Sequence, residues 1–467
     1  MSSGQKLYAT DVGLASLRQT KTERTTLALI ILLGVLLRAV APMLAYYATH
    51  DKTCFHSLDT LSYIEPAQSM LERGDFSRRG AVETIRTPGY PLFLLPGLIL
   101  DSVEFVAIAL QIIVSAFLIY FVYAAARLLS GEPKAALLAA LLIACEPSSI
   151  IWTSIVQTET LFAALLMGGV LYSMRYMARS RWQDLLVCAA LLTASIYVRP
   201  AAYFLPIVLA VFWAARGIVG RSMGKVLAAQ LLIFLAVCYA LVGLWQVRNG
   251  LVSGYWGFSA VSENNLYFFA ATTVMAQVHN RPYEEQRRLM IEDRPQSLSE
   301  NGREAPLSAK ELRRYRSTKA IEIILRHPFA YAKVVCLSAL WTMAGPGVGP
   351  WLEVFRVVPG DRVHRATEDD KFYYFRGAQW SRWGSVVLGV LLGLYWLAGA
   401  VGAIRAFHDQ KWQLFLLLLV MAYFVVSPAL LCIGYSRFRH PVMPILSVLA
   451  GYGLWVARQR RQTKDEG

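Results

Sequence analysis

Long apolar segments alternate with short polar clusters along almost the whole chain. A helix needs roughly 20 apolar residues to cross a bilayer. The pattern predicts about ten such spans, at residues 25–47, 103–128, 135–152, 159–177, 185–198, 201–215, 226–247, 384–403, 412–432 and 441–456. The sequence therefore predicts an all-α polytopic membrane protein, and we expect a single transmembrane domain over residues 1–467.

Two further apolar segments are harder to place. Residues 88–100 would form a helix about 20 Å long, which is shorter than the hydrocarbon core of a bilayer. Residues 328–344 form a similar segment and end in a glycine- and proline-rich stretch. We expect both to be interfacial helices rather than full spans.

Charge sets the predicted orientation. The 467 residues are 56% hydrophobic and 16% charged, against about 25% charged in soluble domains. The net charge of +15 does not indicate nucleic-acid binding, because many basic residues sit in short loops beside the spans. Their alternation predicts cytoplasmic termini in an inner (plasma) membrane. Residues 48–102, a short loop near 145–158 and the long region 248–383 then lie outside.

The first external loop contains a carboxylate and a guanidinium. Asp59 follows the first span, and Tyr63 comes one helical turn later. Asp59 could be a helix cap, which accepts backbone N–H bonds, or a catalytic group. Arg86 precedes the stiff sequence TPGYP, which contains Tyr90. Arg86 could reach toward lipid headgroups or could bind a phosphate bidentately.

More charged residues fall on the same predicted face. Glu159 begins a span, where a carboxylate also favours the helix dipole. Basic side chains occur at the external ends of three other spans: Arg199, Arg248, and the group Arg437, Arg439 and His440. Acids and arginines from distant parts of the chain are therefore expected at one side of the membrane.

These residue types suit one kind of reaction. A lipid-linked phosphosugar would keep its chain in the bilayer and its phosphate at headgroup depth. Arginines could hold the phosphate and stabilise the charge that builds as it leaves. A carboxylate could take the proton from an acceptor hydroxyl. No CxxC, HExxH or Walker-type sequence occurs, so we expect no metal, no cofactor and no nucleotide site.

The order of six motifs resembles the GT-C glycosyltransferases. Within that superfamily, the chain resembles the bacterial branch related to aminoarabinose transferases, protein O-mannosyltransferases and lipopolysaccharide sugar transferases. The motifs are, in order, LDTLSYIEPAQSMLERGDF, RTPGYPLFL, EPSSIIWTSIVQTETLF, YVRP, WQVRNG and RFRHPVMPILSVLAGYG. The resemblance runs from the first predicted span to the last and implies a GT-C-like bundle of about 10–12 helices.

The resemblance also implies residue roles. Asp59 is the expected catalytic base, and Arg86 is the expected ligand of the lipid phosphate. Glu159 is expected to be a second catalytic acid of the same cavity, which orients the acceptor or the sugar. Arg248 and Arg439 are expected to line the cavity or hold its loops, and Tyr63, Tyr90 and Arg199 are further candidates for substrate binding. Many relatives have two adjacent acids in the first loop, whereas Thr60 follows Asp59 here, so no obligatory metal is expected.

The predicted function is an inverting transfer of a sugar from a polyprenyl-phosphate donor to an envelope lipid, polysaccharide or protein. The external loops would recognise the acceptor, and they contain aromatic clusters at residues 255–258 and 371–375 that either stack on sugars or anchor the loops. Two alternatives remain at this point. One is a transporter or flippase of lipid-linked sugars, and the other is a polymerase or ligase of lipid-linked glycans.

Overall fold

The computed structural model describes residues 19–221, 223–293, 296–298, 304–306, 309–357 and 379–465. The predicted aromatic cluster at 371–375 lies outside these residues. Helices make up most of the described chain, and its strands form two short antiparallel hairpins.

The helices follow the apolar segments closely. In chain order they are α1 (Lys21–Thr49), α2 (Leu61–Arg73), α3 (Gly89–Ile99), α4 (Val103–Ser130), α5 (Pro133–Cys145), α6 (Pro147–Thr153), α7 (Glu159–Arg179), α8 (Trp182–Val198), α9 (Leu205–Val219), α10 (Lys225–Ser253), α11 (Val261–Asn265), α12 (Thr272–His279), α13 (Tyr283–Glu292), α14 (Ala309–Arg326), α15 (Pro328–Ala344), α16 (Gly349–Val354), α17 (Gln379–His408), α18 (Trp412–Leu430) and α19 (Met443–Asp465). The strands are β1 (Ser77–Arg78), β2 (Ala81–Val82), β3 (Gln296–Leu298) and β4 (Glu304–Pro306).

Length and composition identify eight described helices that could cross a membrane. They are Lys21–Thr49, Val103–Ser130, Glu159–Arg179, Pro200–Val219, Lys225–Ser253, Arg382–His408, Trp412–Leu430 and Ser436–Gln462. Two bent pairs raise this number to ten if each pair is one span. The predicted polytopic all-α class is therefore confirmed, and the protein is a multi-pass membrane protein.

The predicted span at residues 135–152 is a broken one. Helices α5 and α6 meet at a bend of 52°. Pro147 has no N–H to donate to the Ile143 carbonyl, and the Ser148 N–H binds the Glu146 carboxylate instead of continuing α5. The buried Arg38 guanidinium donates to the carbonyl oxygens of Ala144 at 2.7 Å and Ile143 at 2.9 Å. Arg38 therefore satisfies the polar groups that the break leaves open.

The two short apolar segments differ in the structure. Helix α3 has 11 residues and is too short to span alone, in agreement with the prediction for residues 88–100. Helix α15 has 17 residues and meets α14 at 99°. Together the two helices are long and apolar enough to form one bent span. An interfacial position for α15 stays a prediction.

Helix α19 is held by close backbone contacts. It packs against α17, α5 and α4, and the turn Ser436–Val442 leads into it. A Cβ added at Gly451 would lie 2.5 Å from the Ala139 nitrogen. A Cβ at Gly402 of α17 would overlap the Leu449 carbonyl oxygen of α19. Small residues of this kind let membrane helices approach closely, and here they fix the position of the Ser436–Val442 turn.

The contact between α17 and α19 gives a first prediction. Gly402→Ala should lower the thermal unfolding temperature of the purified protein in detergent, because the new methyl group forces the helices apart. Overpacking of this kind costs about 1–3 kcal/mol.

Gly389→Ala on the same helix is the matched control, since a Cβ there meets nothing within 4 Å. It should leave the unfolding temperature unchanged or raise it slightly, because alanine favours a helix over glycine by about 1 kcal/mol. Equal unfolding temperatures for the two variants would contradict the packing described here.

Candidate active site

Asp59 lies in the turn before α2 and is bound by two arginines. Its carboxylate accepts hydrogen bonds from Arg86 Nη2 at 2.5 Å and Arg437 Nη1 at 2.7 Å. The N-cap residue of α2 is Thr60, and α2 has no side-chain cap bond. The capping interpretation of Asp59 is therefore not supported by this geometry.

All three guanidinium nitrogens of Arg86 donate hydrogen bonds to residues of α2 and of the turn before it. Nε donates to Ser62 Oγ at 2.9 Å, and Nη1 donates to the Tyr63 hydroxyl at 3.1 Å. The guanidinium also lies 4.6 Å from the centre of the Tyr63 ring, a favourable cation–π distance. Arg86 thus points into the protein, in contrast to an arginine that reaches toward headgroups. It lies next to Tyr63, and both residues were predicted to belong to the same site.

The backbone around Arg86 is also fixed. The buried Glu83 carboxylate accepts the N–H groups of Ile85 at 2.6 Å and Arg86 at 3.0 Å. Its second oxygen pairs with Arg78 Nε at 2.7 Å. Gly89 is so close to the end of α8 that a Cβ would lie 2.6 Å from the Tyr197 carbonyl. Glu83 is a positioning residue that sequence reasoning missed.

Arg437 joins the two acids and was not among the predicted site residues. Its Nη1 binds Asp59, and its Nε binds Glu159. The sequence showed Arg437 and Arg439 together at the start of the last span, but spacing alone did not separate their roles. The turn Ser436–Val442 points their side chains to different partners.

Glu159 is fully buried and paired twice. Besides Arg437, it accepts a hydrogen bond from Arg199 Nη1 at 2.9 Å. The Arg199 guanidinium lies 5.5 Å from the Phe162 ring and 5.7 Å from the Phe438 ring. A buried carboxylate is stable when charged partners surround it, as they do here. Glu159 and Arg199, two separate candidates from the sequence, are therefore part of the same cluster as Asp59.

Arg439 lies next to this cluster but binds backbone atoms. Its Nη1 donates to the carbonyl oxygens of Thr342 at 3.0 Å, Met343 at 3.2 Å and Gly345 at 2.7 Å. These carbonyl groups lie at the C-terminal end of α15, where the helix itself supplies no N–H donors. Arg439 therefore holds the loop after that helix. Its predicted role in holding a loop agrees with these contacts, and substrate contact stays a prediction.

Arg248 and Tyr90 also contact protein groups outside the cluster. Arg248 donates to the Phe76 carbonyl at 3.2 Å and lies 4.9 Å from the Trp245 ring. It holds the hairpin β1–β2. The buried Tyr90 hydroxyl donates to Gln111 Oε1 at 2.9 Å, and its ring packs edge-on against Tyr63. Direct substrate binding by either residue stays a prediction.

A third carboxyl group, that of Glu353 on α16, lies within electrostatic range of Arg437 and Asp59. Burial raises its pKa to about 7, with Arg437 opposing and Asp59 reinforcing the shift. Sequence reasoning missed Glu353 because it sits in the apolar stretch WLEVF and has no motif around it.

The charge balance of the cluster favours an anion. Three arginines (Arg86, Arg199 and Arg437) form ion pairs with two carboxylates, so these five groups together carry one excess positive charge. Burial alone would raise the pKa of Asp59, but Arg437 and Arg86 outweigh it and hold that pKa well below its usual range. Asp59 is therefore ionised at neutral pH, and the cluster can bind a further anionic group such as a phosphate.

An apolar cleft of about 360 Å³ lies between α16 and α17. Its lining residues come from α16 and α17 and include Trp351, Leu352, Phe355, Val387 and Leu388. No group of three or more His, Cys, Asp or Glu residues that could hold a metal occurs in the described part of the chain. The predicted lack of a metal requirement stays a prediction.

The geometry of Glu83 gives a second prediction. Glu83→Ala removes the acceptor of two amide hydrogens, so the Ile85 and Arg86 amides should exchange with deuterium at least about tenfold faster, since hydrogen bonds to charged groups contribute about 1.5–3 kcal/mol. Hydrogen-exchange mass spectrometry of peptides covering residues 83–90 measures this.

Glu83→Gln is the matched control, because its amide oxygen still accepts both N–H groups. It should exchange nearly as slowly as the wild type. If Glu83→Ala exchanges no faster than the wild type, Glu83 does not fix the Arg86 backbone.

One family model matches part of the chain. Residues 87–245 match the model of the dolichyl-phosphate-mannose-protein mannosyltransferases. The matched segment contains Glu159 and Arg199, whereas Asp59, Arg86 and Arg437 lie outside it. A search of curated protein sequences finds no significant match.

Solved structures give the fold. The chain is similar to the oligosaccharyltransferase of Archaeoglobus fulgidus in its apo form, with a TM-score of 0.52 and 14% identity over 94% of this chain and 51% of that one. The oligosaccharyltransferase AglB from Archaeoglobus fulgidus, in complex with an inhibitory peptide and a dolichol-phosphate, matches with a TM-score of 0.52 and 12% identity, over 96% of this chain and 51% of that one. The chain thus spans about half the length of these proteins.

ArnT from Cupriavidus metallidurans bound to undecaprenyl phosphate matches less well. Its TM-score is 0.39 at 14% identity, over 90% of this chain and 77% of that one. At this score the likeness adds nothing to the fold assignment. The chain shares the fold of the oligosaccharyltransferase, which is the GT-C fold expected from the sequence, and residues 87–245, about a third of its length, are similar to the mannosyltransferase model.

Proposed function

We propose that this protein is an integral membrane glycosyltransferase that uses a polyprenyl-phosphate sugar as its donor. The transferred group is a hexose or pentose, and the acceptor is an envelope lipid, polysaccharide or protein. The family match and the GT-C fold support the class of reaction. The oligosaccharyltransferase that shares the fold binds a dolichol-phosphate, which supports a lipid-phosphate donor here.

The pairing of Asp59 with Arg86 and Arg437 is the observation that carries the proposal. Both guanidinium groups already hold an anionic oxygen at 2.5 and 2.7 Å. The phosphate of the donor offers oxygens of the same charge and reach. Arg86 is the clamp, since the geometry of a guanidinium matches two phosphate oxygens at once.

The reaction is a single displacement. Asp59 takes the proton of the acceptor hydroxyl while the hydroxyl oxygen attacks the anomeric carbon. The bond between that carbon and the phosphate oxygen breaks, and its electron pair stays on the phosphate. Arg86 and Arg437 stabilise the charge that develops there. One displacement from the opposite face inverts the anomeric centre.

Donor binding and base strength are coupled in this scheme. Without the donor, two arginines hold the pKa of Asp59 far below its usual range, so Asp59 is a weak base. When the phosphate binds those arginines, Asp59 loses the contacts that lower its pKa, and the opposing effect of burial remains. Asp59 therefore becomes a better base when the donor is in place.

Glu159 acts through Arg437 in this proposal. The sequence predicted that Glu159 orients the acceptor or the sugar. Its carboxylate is fully buried and already binds Arg199 and Arg437, which supports a positioning role. Arg437 is thereby held between Glu159 and Asp59 and stays in reach of the phosphate.

The apolar cleft between α16 and α17 is the proposed binding site of the polyprenyl chain. Its walls are aromatic and aliphatic side chains such as Trp351 and Leu388, and its volume is about 360 Å³. An isoprenoid chain gains roughly 25 cal/mol per Å² of apolar surface that it buries there. Aromatic residues of the loop after α10, such as Tyr255 and Trp256, are candidates for acceptor binding.

The site faces the outside of an inner (plasma) membrane, and both termini are cytoplasmic. The basic loop residues support this orientation because they meet at the helix ends opposite Asp59. Lys411 donates to the Leu129 carbonyl at the end of α4, and Arg127 pairs with Glu23 at the start of α1. Positive charge concentrated at one end of a helical bundle is typical of its cytoplasmic side.

A transporter of lipid-linked sugars is the weaker alternative. Transporters place ionisable residues near the middle of the membrane to bind their cargo. Arg38 is the residue that fits this description best, but it is fully buried and donates to three backbone carbonyls. A polymerase or ligase of lipid-linked glycans would use the same phosphate contacts and belongs to the same reaction class.

The role of Asp59 gives a third prediction. In a host strain that lacks the gene, one polyprenyl-phosphate sugar should accumulate and one envelope sugar should disappear. The wild-type gene should reverse both changes. Asp59→Asn should reverse neither, because an amide cannot accept the proton. Mass spectrometry of the lipid pool and the envelope glycans measures both.

Asp101→Asn is the matched control, since Asp101 is an exposed aspartate at the end of α3, outside the cluster. It should restore both pools. Full restoration by Asp59→Asn at equal membrane levels would remove Asp59 from the reaction, and the absence of any change in the deletion strain would reject the transferase function.

A further inference from the structure

Helix α14 belongs to a small unit that has its own apolar core outside the long spans. Ala320 and Ile323 of α14 are 0% and 8% exposed and belong to the same apolar cluster as Tyr267. Lys319, on the same side of the helix, pairs with Asp293. The protein itself therefore covers this face of α14.

The opposite face of α14 is exposed along the whole helix. Lys310 and Arg314 are exposed, and Ile321 and Leu325 are 50% and 73% exposed. At 100° per residue, these four positions lie within about 60° of one another around the helix axis. They form an outer stripe (Lys310, Arg314, Ile321 and Leu325) that is basic at its start and apolar at its end.

The basic end of the outer stripe has no acidic partner in the described part of the chain. Lys310 and Arg314 form no ion pair there, whereas Arg326, which lies off the stripe on the same helix, pairs with Glu322. The two cationic side chains are therefore available to an anion outside the protein.

The apolar end of the outer stripe lies where the helical bundle leaves the membrane. Helix α14 meets α15 at 99°, and Tyr331 in the first turn of α15 donates to the Leu430 carbonyl at 2.8 Å. Leu430 is the last residue of α18, one of the candidate spans. Phe329, which follows the corner, is 89% exposed. The corner between α14 and α15 is therefore at the depth of the membrane surface.

The composition of α14 keeps it on that surface. Eight of its 18 residues are Lys, Arg or Glu, so the helix cannot enter the hydrocarbon core. A charged helix with apolar side chains on one exposed face typically lies in the interface, with those side chains at the boundary between headgroups and acyl chains. Lysine and arginine on the same face can extend their charged ends into the headgroup layer.

We propose that the outer stripe of α14 is a docking surface for anionic phospholipids of the adjacent leaflet. Ile321 and Leu325 contact the upper parts of the acyl chains. Lys310 and Arg314 bind the headgroup phosphates, which are the anions nearest to a helix at this depth. The position at the end of a span and the positive charge together favour a lipid surface over a protein partner. The inference does not depend on the transfer reaction.

The lipid contact has a consequence for the neighbouring loop. The Arg313 guanidinium lies 5.2 Å from the Tyr255 ring, and the Arg316 guanidinium lies 4.8 Å from the Phe268 ring. Helix α14 thus connects the membrane surface to the aromatic residues that follow α10. Anionic lipids bound to the outer stripe therefore set the height of that loop above the membrane.

Hydrogen exchange of the full-length protein in lipid nanodiscs tests this inference. One set of discs contains phosphatidylcholine alone, and the other contains equal parts of phosphatidylcholine and phosphatidylglycerol. Peptides covering residues 310–326 should exchange about fivefold to thirtyfold more slowly in the anionic discs, because each basic side chain near an anionic surface strengthens the contact about fivefold. The difference should shrink when salt is raised.

Variants of the outer stripe separate its two ends. Lys310→Gln combined with Arg314→Gln should remove the difference between the two kinds of disc. Leu325→Gln should speed the exchange of α14 in both kinds, because it removes apolar contact whatever the headgroup charge. Arg326→Gln is the matched control, since it removes a basic side chain of the same helix that lies off the stripe, and it should keep the difference. All these side chains are exposed, so the unfolding temperatures should match the wild type.

Four results would overturn the inference. The first is equal exchange of α14 in neutral and anionic discs, and the second is a difference that survives the loss of both Lys310 and Arg314. The third is equal slowing by inorganic phosphate in neutral discs, which would assign the stripe to a free anion. The fourth is slowing only in discs that hold two copies of the protein, which would assign it to a second copy. None of these results bears on the transfer reaction.

Discussion

The site depends on one interaction, the contact of Asp59 with two arginines from opposite ends of the chain. Arg86 reaches it from the loop before α3, and Arg437 reaches it from the turn before α19. Other parts of the protein fix the position of each arginine. Glu83 holds the backbone of Arg86, and the close packing of α19 against α17 and α5 fixes the turn that carries Arg437. Without either support, Asp59 would be an ordinary exposed aspartate.

Breaks and ends of helices leave backbone carbonyl groups without hydrogen-bond partners inside an apolar bundle. Arginine side chains supply many of the missing donors. Arg38 satisfies the carbonyls at the break between α5 and α6. Arg439 does the same at the end of α15. The arginines therefore divide into two groups. Arg38 and Arg439 bind carbonyl groups at helix ends, whereas Arg86, Arg199 and Arg437 bind carboxylates.

Hydropathy predicted most spans because backbone polar groups must be satisfied within a bilayer, which leaves long apolar helices as the solution. The position of acids and arginines at one end of the spans correctly grouped Asp59, Arg86, Glu159 and Arg199. Finer assignments depended on side-chain direction. Arg437 and Arg439 are two residues apart, yet one binds acids and the other binds carbonyls. Glu353 was not identified from the sequence because its raised pKa depends on burial and on charges that are distant in the chain.

In the proposed mechanism the donor phosphate and Asp59 bind the same two arginines, and a binding measurement tests this directly. Farnesyl phosphate, a short soluble polyprenyl phosphate, is titrated into purified wild type, Asp59→Asn and Arg86→Ala by isothermal calorimetry, with farnesol as the uncharged control. Asp59→Asn should bind farnesyl phosphate about tenfold more tightly than the wild type, since the arginines lose their internal competitor, and Arg86→Ala should bind it more weakly. Farnesol should not distinguish the three proteins. Equal or weaker binding of farnesyl phosphate by Asp59→Asn would contradict the account.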